Sequence, residues 1–481
     1  MAKTIMEESK TNLNKRILKA LGIFGGTQSI QIICSFVRNK FAAVLLGTEG
    51  IGLLAVFNNA LDLLTSSTQL SIRQSALRDV AKADTADKLH RIAYIVLRWS
   101  WLLGIVGAII TLIAAPWLSE YSFGNKDYTL HFSLLSVAIF LCALQSGWQI
   151  IIQGTDDMKS LAKSQLWGAI FGAIASIILY FWLGLASIVP SILAYTIANT
   201  IATAFYRKKL TKPEVIPSMK EVLKDGYPFI RLGFFMTISL FSSVLASYIY
   251  IGWLYNNASV EELGLFNAGN TIINRYAALL FAAIGYEYYP RLCKIISSKS
   301  DVSLHVSGES NMSLIVLLPL ICIYLSFDSF FISLLYSDDF HPILPYMKWA
   351  MLGTIFKAVS WCMAVTIMAK GNGRDYIITE VLSSIIFVIT HIFFFRKYGI
   401  EGWGYAYMIW YAAYTVLIGY FYFIRYKFKL ELRSWLIFIT CTSISLLAIY
   451  VSNISQTACI SLTVSVSLVT ALFLYKGLKN N

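Results

Sequence analysis

The residues most able to do chemistry in this 481-residue sequence lie inside apolar stretches. Gln28, Gln31, Ser35 and Arg38 follow one another at spacings of three, four and three, which puts them on one face of a helix. Asn58, Asp62, Thr65 or Ser66, and Gln69 form a second stripe of the same kind. Further on, Asn267, Asn270, Asn274 and Arg275 share a segment, and Lys357 lies near the middle of another. A charged side chain at bilayer depth costs at least about a few kcal/mol, so it faces a bundle interior or a water-filled cavity. Two polar stripes on successive helices therefore predict a hydrated cavity wall. Against these cations only Asp62 sits at comparable depth, since Glu287, Asp328 and Glu380 fall nearer the ends of their segments. The expected chamber is net positive and favours an anion, and Arg can grip phosphate oxygens in a bidentate manner. The candidate anion-binding residues are Arg38, Arg275, Lys357, Lys40, Gln31, Asn270 and Asn274. Asp62 and Asn58 are candidates for coupling or gating, because a carboxylate beside a polar stripe can change charge during a cycle. Coupling to H+ or Na+ stays open at this point, and no other cofactor is expected.

Several of these residues have a plainer reading, although Arg275 and Lys357 are too deep to snorkel easily. Lys40, Lys348 and Arg38 are close enough to helix ends to snorkel toward headgroups. Asp62 and Arg38 could pair with each other, which would make them structural or a gate. Tyr248, Tyr250, Tyr255, Tyr286, Tyr288 and Tyr289 suit a membrane interface. Pro319 and Pro190 lie within apolar runs, where a missing N–H can kink a helix, and Pro319 is the candidate gating bend.

The elements that must position these groups are membrane helices. The chain is 57% hydrophobic and 14% charged, with a mean hydropathy of +0.65, whereas soluble domains are about 45–50% apolar and about 25% charged. The apolar residues gather in long stretches such as Tyr94–Pro116, Met312–Leu335 and Ile377–Phe395, each able to cross a roughly 30 Å hydrocarbon layer. The pattern predicts about fourteen helices, at 18–45, 50–76, 93–117, 130–153, 162–184, 186–206, 227–254, 263–289, 311–335, 344–369, 376–395, 400–424, 433–452 and 457–475. The first apolar segment is too long for a signal-peptide core and is expected to stay as helix 1.

The formal net charge of +13 could suggest nucleic acid, but its distribution argues otherwise. With the N-terminus cytoplasmic, about 29 of the 39 Lys and Arg fall in cytoplasmic segments and about 3 (Lys126, Arg396, Lys397) in external ones. That is the positive-inside pattern, with both termini inside, and no nucleic-acid partner is expected. The seven cysteines are scattered singly without C-x-x-C spacing, and the five histidines form no H-E-x-x-H pattern, so a metal site has no support. No P-loop occurs.

The longest break, Arg207–Tyr227, carries five lysines and two prolines and is expected to be a cytoplasmic linker. Gly52 and Asn58 match Gly264 and Asn270 at the same spacing, and QGTDDMKSLAKS resembles AKGNGRDYIITE, with offsets of about 212 and 217 residues. A shift of six helices preserves direction through the membrane, so these would be parallel repeats. The expected organisation is an N-lobe (1–206), a linker (207–226), a C-lobe (227–425) and two extra helices (426–481). In transporters built from such repeats the substrate lies between the lobes.

The run LGTEGIGLLAVFNNALDLLTSSTQLSIRQSALRDVA (Leu46–Ala81) resembles the helix 1–2 region of O-antigen flippases of the Wzx type. LLYSDDFHPILPYMKWAMLGTIF, AKGNGRDY and YGIEGWGYAYMIW are similar to the second lobe of the multidrug/oligosaccharidyl-lipid/polysaccharide exporter superfamily. The resemblance spans about 1–425. It implies an all-α polytopic protein of a bacterial inner membrane, with two six-helix lobes forming a V-shaped central cavity, that moves a polyprenyl-diphosphate-linked glycan from the cytoplasmic to the periplasmic leaflet. It also implies membrane lipids as surroundings, polysaccharide polymerase or assembly proteins as partners, and Arg38, Arg275 and Lys357 as contacts for the diphosphate. The extra helices 433–452 and 457–475 look like those of peptidoglycan lipid-precursor flippases. The rival readings are a multidrug cation antiporter, which should carry acidic rather than basic cavity residues, and a polysaccharide polymerase-type enzyme. The latter would need a larger external loop than any present, the longest being around Leu118–Leu130.

Overall fold

A computed structural model describes residues 2–69, 76–77, 80, 85–155, 157–207, 216–296 and 298–479. Within these, the side chains of 2–29, 158, 228–236, 239–240, 275–287, 289–291, 294, 299–300 and 473–479 lie outside the description. Among the described residues the secondary structure is helical, with no strand. That follows from the composition, because a chain in hydrocarbon must satisfy its backbone polar groups within each segment. The helices are α1 (Ala2–Thr68), α2 (Ala86–Phe123), α3 (Thr129–Gly154), α4 (Met158–Leu183), α5 (Ile188–Tyr206), α6 (Met219–Asn257) and α7 (Val260–Ile295). They continue with α8 (Lys299–Ser326), α9 (Asp328–Leu335), α10 (Leu344–Ala369), α11 (Gly373–Tyr398), α12 (Gly402–Gly419), α13 (Leu432–Ile454) and α14 (Gln456–Lys479). Among the described residues eight stretches are long and apolar enough to cross a bilayer, and two of them, Lys159–Tyr206 and Gly373–Arg425, each contain a pair of helices.

The chain forms two compact units, Met1–Ser259 and Val260–Asn481. In the first, α2 packs along α3, α4 along α5, and α1 lies against α4 and α6. In the second, α10 packs along α12, α11 along α12, and α13 and α14 both lie on α8. The last pair is tied there by polar groups: the Thr463 hydroxyl donates to the Cys322 carbonyl (3.0 Å) and lies 2.7 Å from the Ser326 hydroxyl.

Each unit exposes large apolar side chains in quantity. On α2, Trp101, Ile105, Ile109 and Leu112 face outward while Leu103, Gly107, Thr111 and Ala115 are buried. An outward stripe of this kind would be costly in water and is favoured in hydrocarbon. The protein is a multi-pass membrane protein.

Several sequence expectations need correction. The predicted helix 311–335 is two helices, because α8 ends at Ser326 and α9 starts at Asp328. α1 ends at Thr68, and residues 70–75 of the predicted helix 50–76 lie outside the described residues. Part of the expected linker is helical: Ser218 and Glu221 form a reciprocal capping box that starts α6 at Met219. Pro190 is no mid-helix kink, since it occupies the first turn of α5, where a missing N–H is tolerated. Pro319 sits inside a continuous α8. Tyr248, Tyr250 and Tyr288 are fully buried, and the Tyr288 hydroxyl donates to the Cys362 carbonyl at 2.5 Å.

The one non-helical residue within α1 is Gly47, at φ 68° and ψ −167°. This conformation is essentially restricted to glycine. It divides α1 where the sequence predicts a break between its first two helices.

Candidate functional site

Lys357 stands half-buried on α10, one turn after Gly353 on the same face. Gly353 lets α12 come close: a side chain there would meet the Tyr407 ring and the Met408 backbone. The result is a cation held by neutral groups. The Lys357 ammonium donates to the Asn274 Oδ1 at 3.2 Å and to the Tyr407 hydroxyl at 3.3 Å. It also lies 5.0 Å from the Tyr411 ring centroid, within cation–π range. Asn274 in turn donates to Asn270 at 2.8 Å, one turn back on α7. No described carboxylate forms an ion pair with Lys357. Dipoles and ring faces make its burial tolerable without cancelling its charge.

The tyrosine stripe continues away from Lys357. Tyr407, Tyr411 and Tyr414 recur at helical spacing along α12, and the Tyr414 hydroxyl donates to Glu380 Oε1 on α11 at 3.0 Å. Beside it the Trp410 indole donates to the Ser383 hydroxyl at 3.0 Å. Thr415 bonds to the Phe356 carbonyl at 3.1 Å and fixes α12 against α10 at the level of the lysine.

The first unit repeats the motif with other residues. The Arg38 guanidinium carbon lies 4.4 Å from the Tyr195 ring centroid. Tyr195 projects from α5, where Gly172 of α4 leaves room for its ring. Gln31, two turns before Arg38, donates to Gln165 Oε1 on α4 at 3.4 Å. No described residue pairs Arg38 with Asp62. Asp62 is exposed and has no hydrogen bond or ion pair among the described residues. Asn58 is half-buried, and its neighbour Asn59 takes the structural role by accepting from Ser247 of α6 at 2.8 Å.

The second-unit site joins three of the sequence candidates, Lys357, Asn274 and Asn270; Arg38 and Gln31 share a wall in the first. Lys40 is half-buried two residues beyond Arg38 and so points to a different side of α1. The side chains of Gln28 and Arg275 lie outside the described residues. Lys348 belongs elsewhere, with Asn453 at 2.6 Å and Asp328 at 4.0 Å as partners. Tyr195, Gln165, Tyr407, Tyr411 and Glu380 were missed as site residues. The stripe at 407, 411 and 414 was present in the sequence, but nothing local distinguishes it from core packing.

The loop AKGNGRDY closes on a second polar centre. Asp375, with 0% exposure, is gripped by Arg425 at 2.9 Å, the Tyr426 hydroxyl at 2.7 Å and the Asn372 amide at 2.7 Å. Burial, with Asp375 accepting its proton, holds the Tyr426 phenol above its ordinary value. The Lys370 ammonium stacks 4.3 Å over the Tyr426 ring. This cluster anchors the start of α11 to the end of the π-helical turn Tyr420–Arg425.

A family model for polysaccharide biosynthesis proteins matches residues 17–296. The chain belongs to that family. This polysaccharide biosynthesis protein is 25% identical over 402 residues to the lipid III flippase of Escherichia coli (strain K12), covering 81% of this chain and 94% of that one. Its fold is similar to that of the lipid II flippase MurJ in an inward closed conformation, with a TM-score of 0.69 at 15% identity over 95% of this chain and 99% of the other. A multidrug resistance MATE family transporter of the MOP superfamily, inward-facing, matches with a TM-score of 0.64 at 13% identity over 86% and 96%. The family match and these relatives agree with the resemblance to Wzx-type flippases, and the chain is a membrane transporter rather than an enzyme.

Proposed function

We propose that this transporter flips a polyprenyl-diphosphate-linked oligosaccharide, an O-antigen or related surface-polysaccharide unit, from the cytoplasmic to the periplasmic leaflet of a bacterial inner membrane by alternating access. The observation that carries the reading is Lys357, a half-buried cation whose described partners are an amide, a phenol and a ring face. Arg38, seated on Tyr195, is the second cationic contact, and Arg275 is a third on its sequence position alone. Similarity to a lipid III flippase along most of both chains favours a lipid-linked glycan as cargo.

A net-negative headgroup moving outward gains about 2.3 kcal/mol per charge per 100 mV from an inside-negative potential. Asp62, exposed and without an ion pair among the described residues, is the site we assign to H+ or Na+ coupling. A multidrug cation antiporter is disfavoured by the sign of both cationic contacts.

The test is reconstitution with a fluorescent polyprenyl-diphosphate oligosaccharide. Lys357→Ala and Arg38→Ala should each slow flipping about tenfold or more, the loss of one charge-assisted phosphate contact at about 1.5–3 kcal/mol. Wild-type rates in both variants, or transport of a quaternary ammonium in their place, would overturn the proposal. Asp62→Asn should flatten the dependence of rate on pH or sodium; an unaltered dependence on both removes the coupling role.

A further inference from the structure

Helix α11 presents two faces of opposite character. Glu380, Ser383, Phe387 and His391 turn to α12, where they meet Tyr414 and Trp410. On the other side Ile378, Leu382, Ile385, Ile389 and Phe393 recur at spacings of four, three, four and four, and each is 37–61% exposed. The stripe runs roughly 22 Å along the axis at 1.5 Å per residue, most of a hydrocarbon layer of roughly 30 Å. At its C-terminal end stand Arg396 and Lys397, both exposed. A hollow of about 610 Å³ is lined by Val388, Ile389, Ile392, Phe393, Arg396 and Lys397. It therefore joins an apolar floor to two adjacent cations.

The charge pattern makes these cations notable. In the positive-inside reading of the sequence they fall, with Lys126, on the side the other lysines and arginines avoid. Lys126 has Glu120 at 3.8 Å, whereas Lys397 has no ion-pair partner among the described residues and lies 5.1 Å from the Tyr398 ring. The dipole of α11 favours basic residues in its last turn, but it supplies only partial negative charge. A lipid phosphate would supply a full one at the depth where an interfacial tyrosine and two cations stand together.

We propose that this hollow is a binding site for an anionic glycerophospholipid, its phosphate on Arg396 and Lys397 and an acyl chain along Ile389 and Phe393. The two faces of α11 assign the occupant. The face bearing hydrogen-bonding groups is turned inward to α12, and the exposed stripe offers no polar atom to a glycan. The site is thus built for a lipid with a small charged head, independently of what the protein transports.

The test is native mass spectrometry of the full-length protein titrated with phosphatidylglycerol or phosphatidylcholine. The wild type should bind one phosphatidylglycerol more tightly than phosphatidylcholine. Arg396→Gln with Lys397→Gln should weaken phosphatidylglycerol binding about 30-fold, at roughly 1 kcal/mol per basic residue at a lipid surface, and weaken binding of the zwitterionic phosphatidylcholine less. Should the double variant fail to fold, Lys397→Gln alone should cost about fivefold. Equal binding of the two lipids, undiminished binding by the variants, or displacement of phosphatidylglycerol by a polyprenyl diphosphate at equal concentration would overturn the proposal.

Discussion

Gly353 and Lys357 lie one turn apart on α10, and the space left by the first brings the Tyr407 ring to the second. An alanine at 353 would place its Cβ 2.7 Å from a Tyr407 ring carbon and 3.0 Å from the Met408 backbone. Gly353→Ala should therefore lower stability by about 1–3 kcal/mol, the usual cost of overpacking. It should also slow flipping, because Tyr407 must withdraw from the ammonium. Thermal unfolding in detergent and the vesicle assay read the two effects separately; a full-rate, full-stability variant would contradict this account of the site.

The tyrosines contribute through different atoms, so their variants should separate. Tyr411→Phe keeps the ring face beneath Lys357 and should retain near-wild-type transport. Tyr411→Leu removes it and should raise the apparent KM for the labelled glycan lipid about two- to fivefold, the value of a cation–π contact of about 0.5–1 kcal/mol. Tyr407→Phe removes a hydrogen-bond acceptor from the ammonium and should cost about fivefold. If Tyr411→Phe and Tyr411→Leu behave alike, the ring face is not used.

The Asp375 cluster should govern stability rather than transport. Arg425→Gln leaves a buried carboxylate with Tyr426 and Asn372 but without its cation. Because the Arg425 side chain is 48% exposed, the expected loss falls below the about 3–5 kcal/mol of a fully buried pair, at roughly 1–2 kcal/mol. Asp375→Asn should be milder than Asp375→Ala, since an amide oxygen still accepts from Tyr426. Melting temperatures of the three variants give the order directly.

Two backbone positions should respond with opposite signs. Gly47 has a conformation that side chains rarely adopt, so Gly47→Ala should destabilise by about 1–3 kcal/mol. Lys427 is a non-glycine residue at φ 56°, just after the π-helical turn, and Lys427→Gly should stabilise by about 1 kcal/mol. Equal melting temperatures for wild type and Lys427→Gly would show that the local strain is absorbed elsewhere.

Half of the second-unit site was legible in the sequence. Lys357, Asn270 and Asn274 announce themselves because polar groups at bilayer depth are costly and therefore rare. Their tyrosine partners do not, since an aromatic at helical spacing in an apolar helix packs in a core far more often than it meets a cation. Lys357 and Tyr407 are fifty residues apart, and no local pattern joins them. For Arg38 the neighbouring Asp62 was an available partner, yet the ring of Tyr195 on α5 takes that place.

The amino-acid sequence by itself determined that this protein lives in a membrane, that its described secondary structure is helical, and roughly where its helices begin and end. Those properties follow from composition and short-range periodicity, because hydrocarbon leaves the backbone no partner beyond its own turn. Only the tertiary structure decided which cations have no carboxylate mate among the described residues, which face of α11 is exposed, and where α10 and α12 touch. These outcomes depend on close approaches at single glycines between helices distant in sequence, and an approach of that kind leaves no mark on the spacing of the residues it brings together.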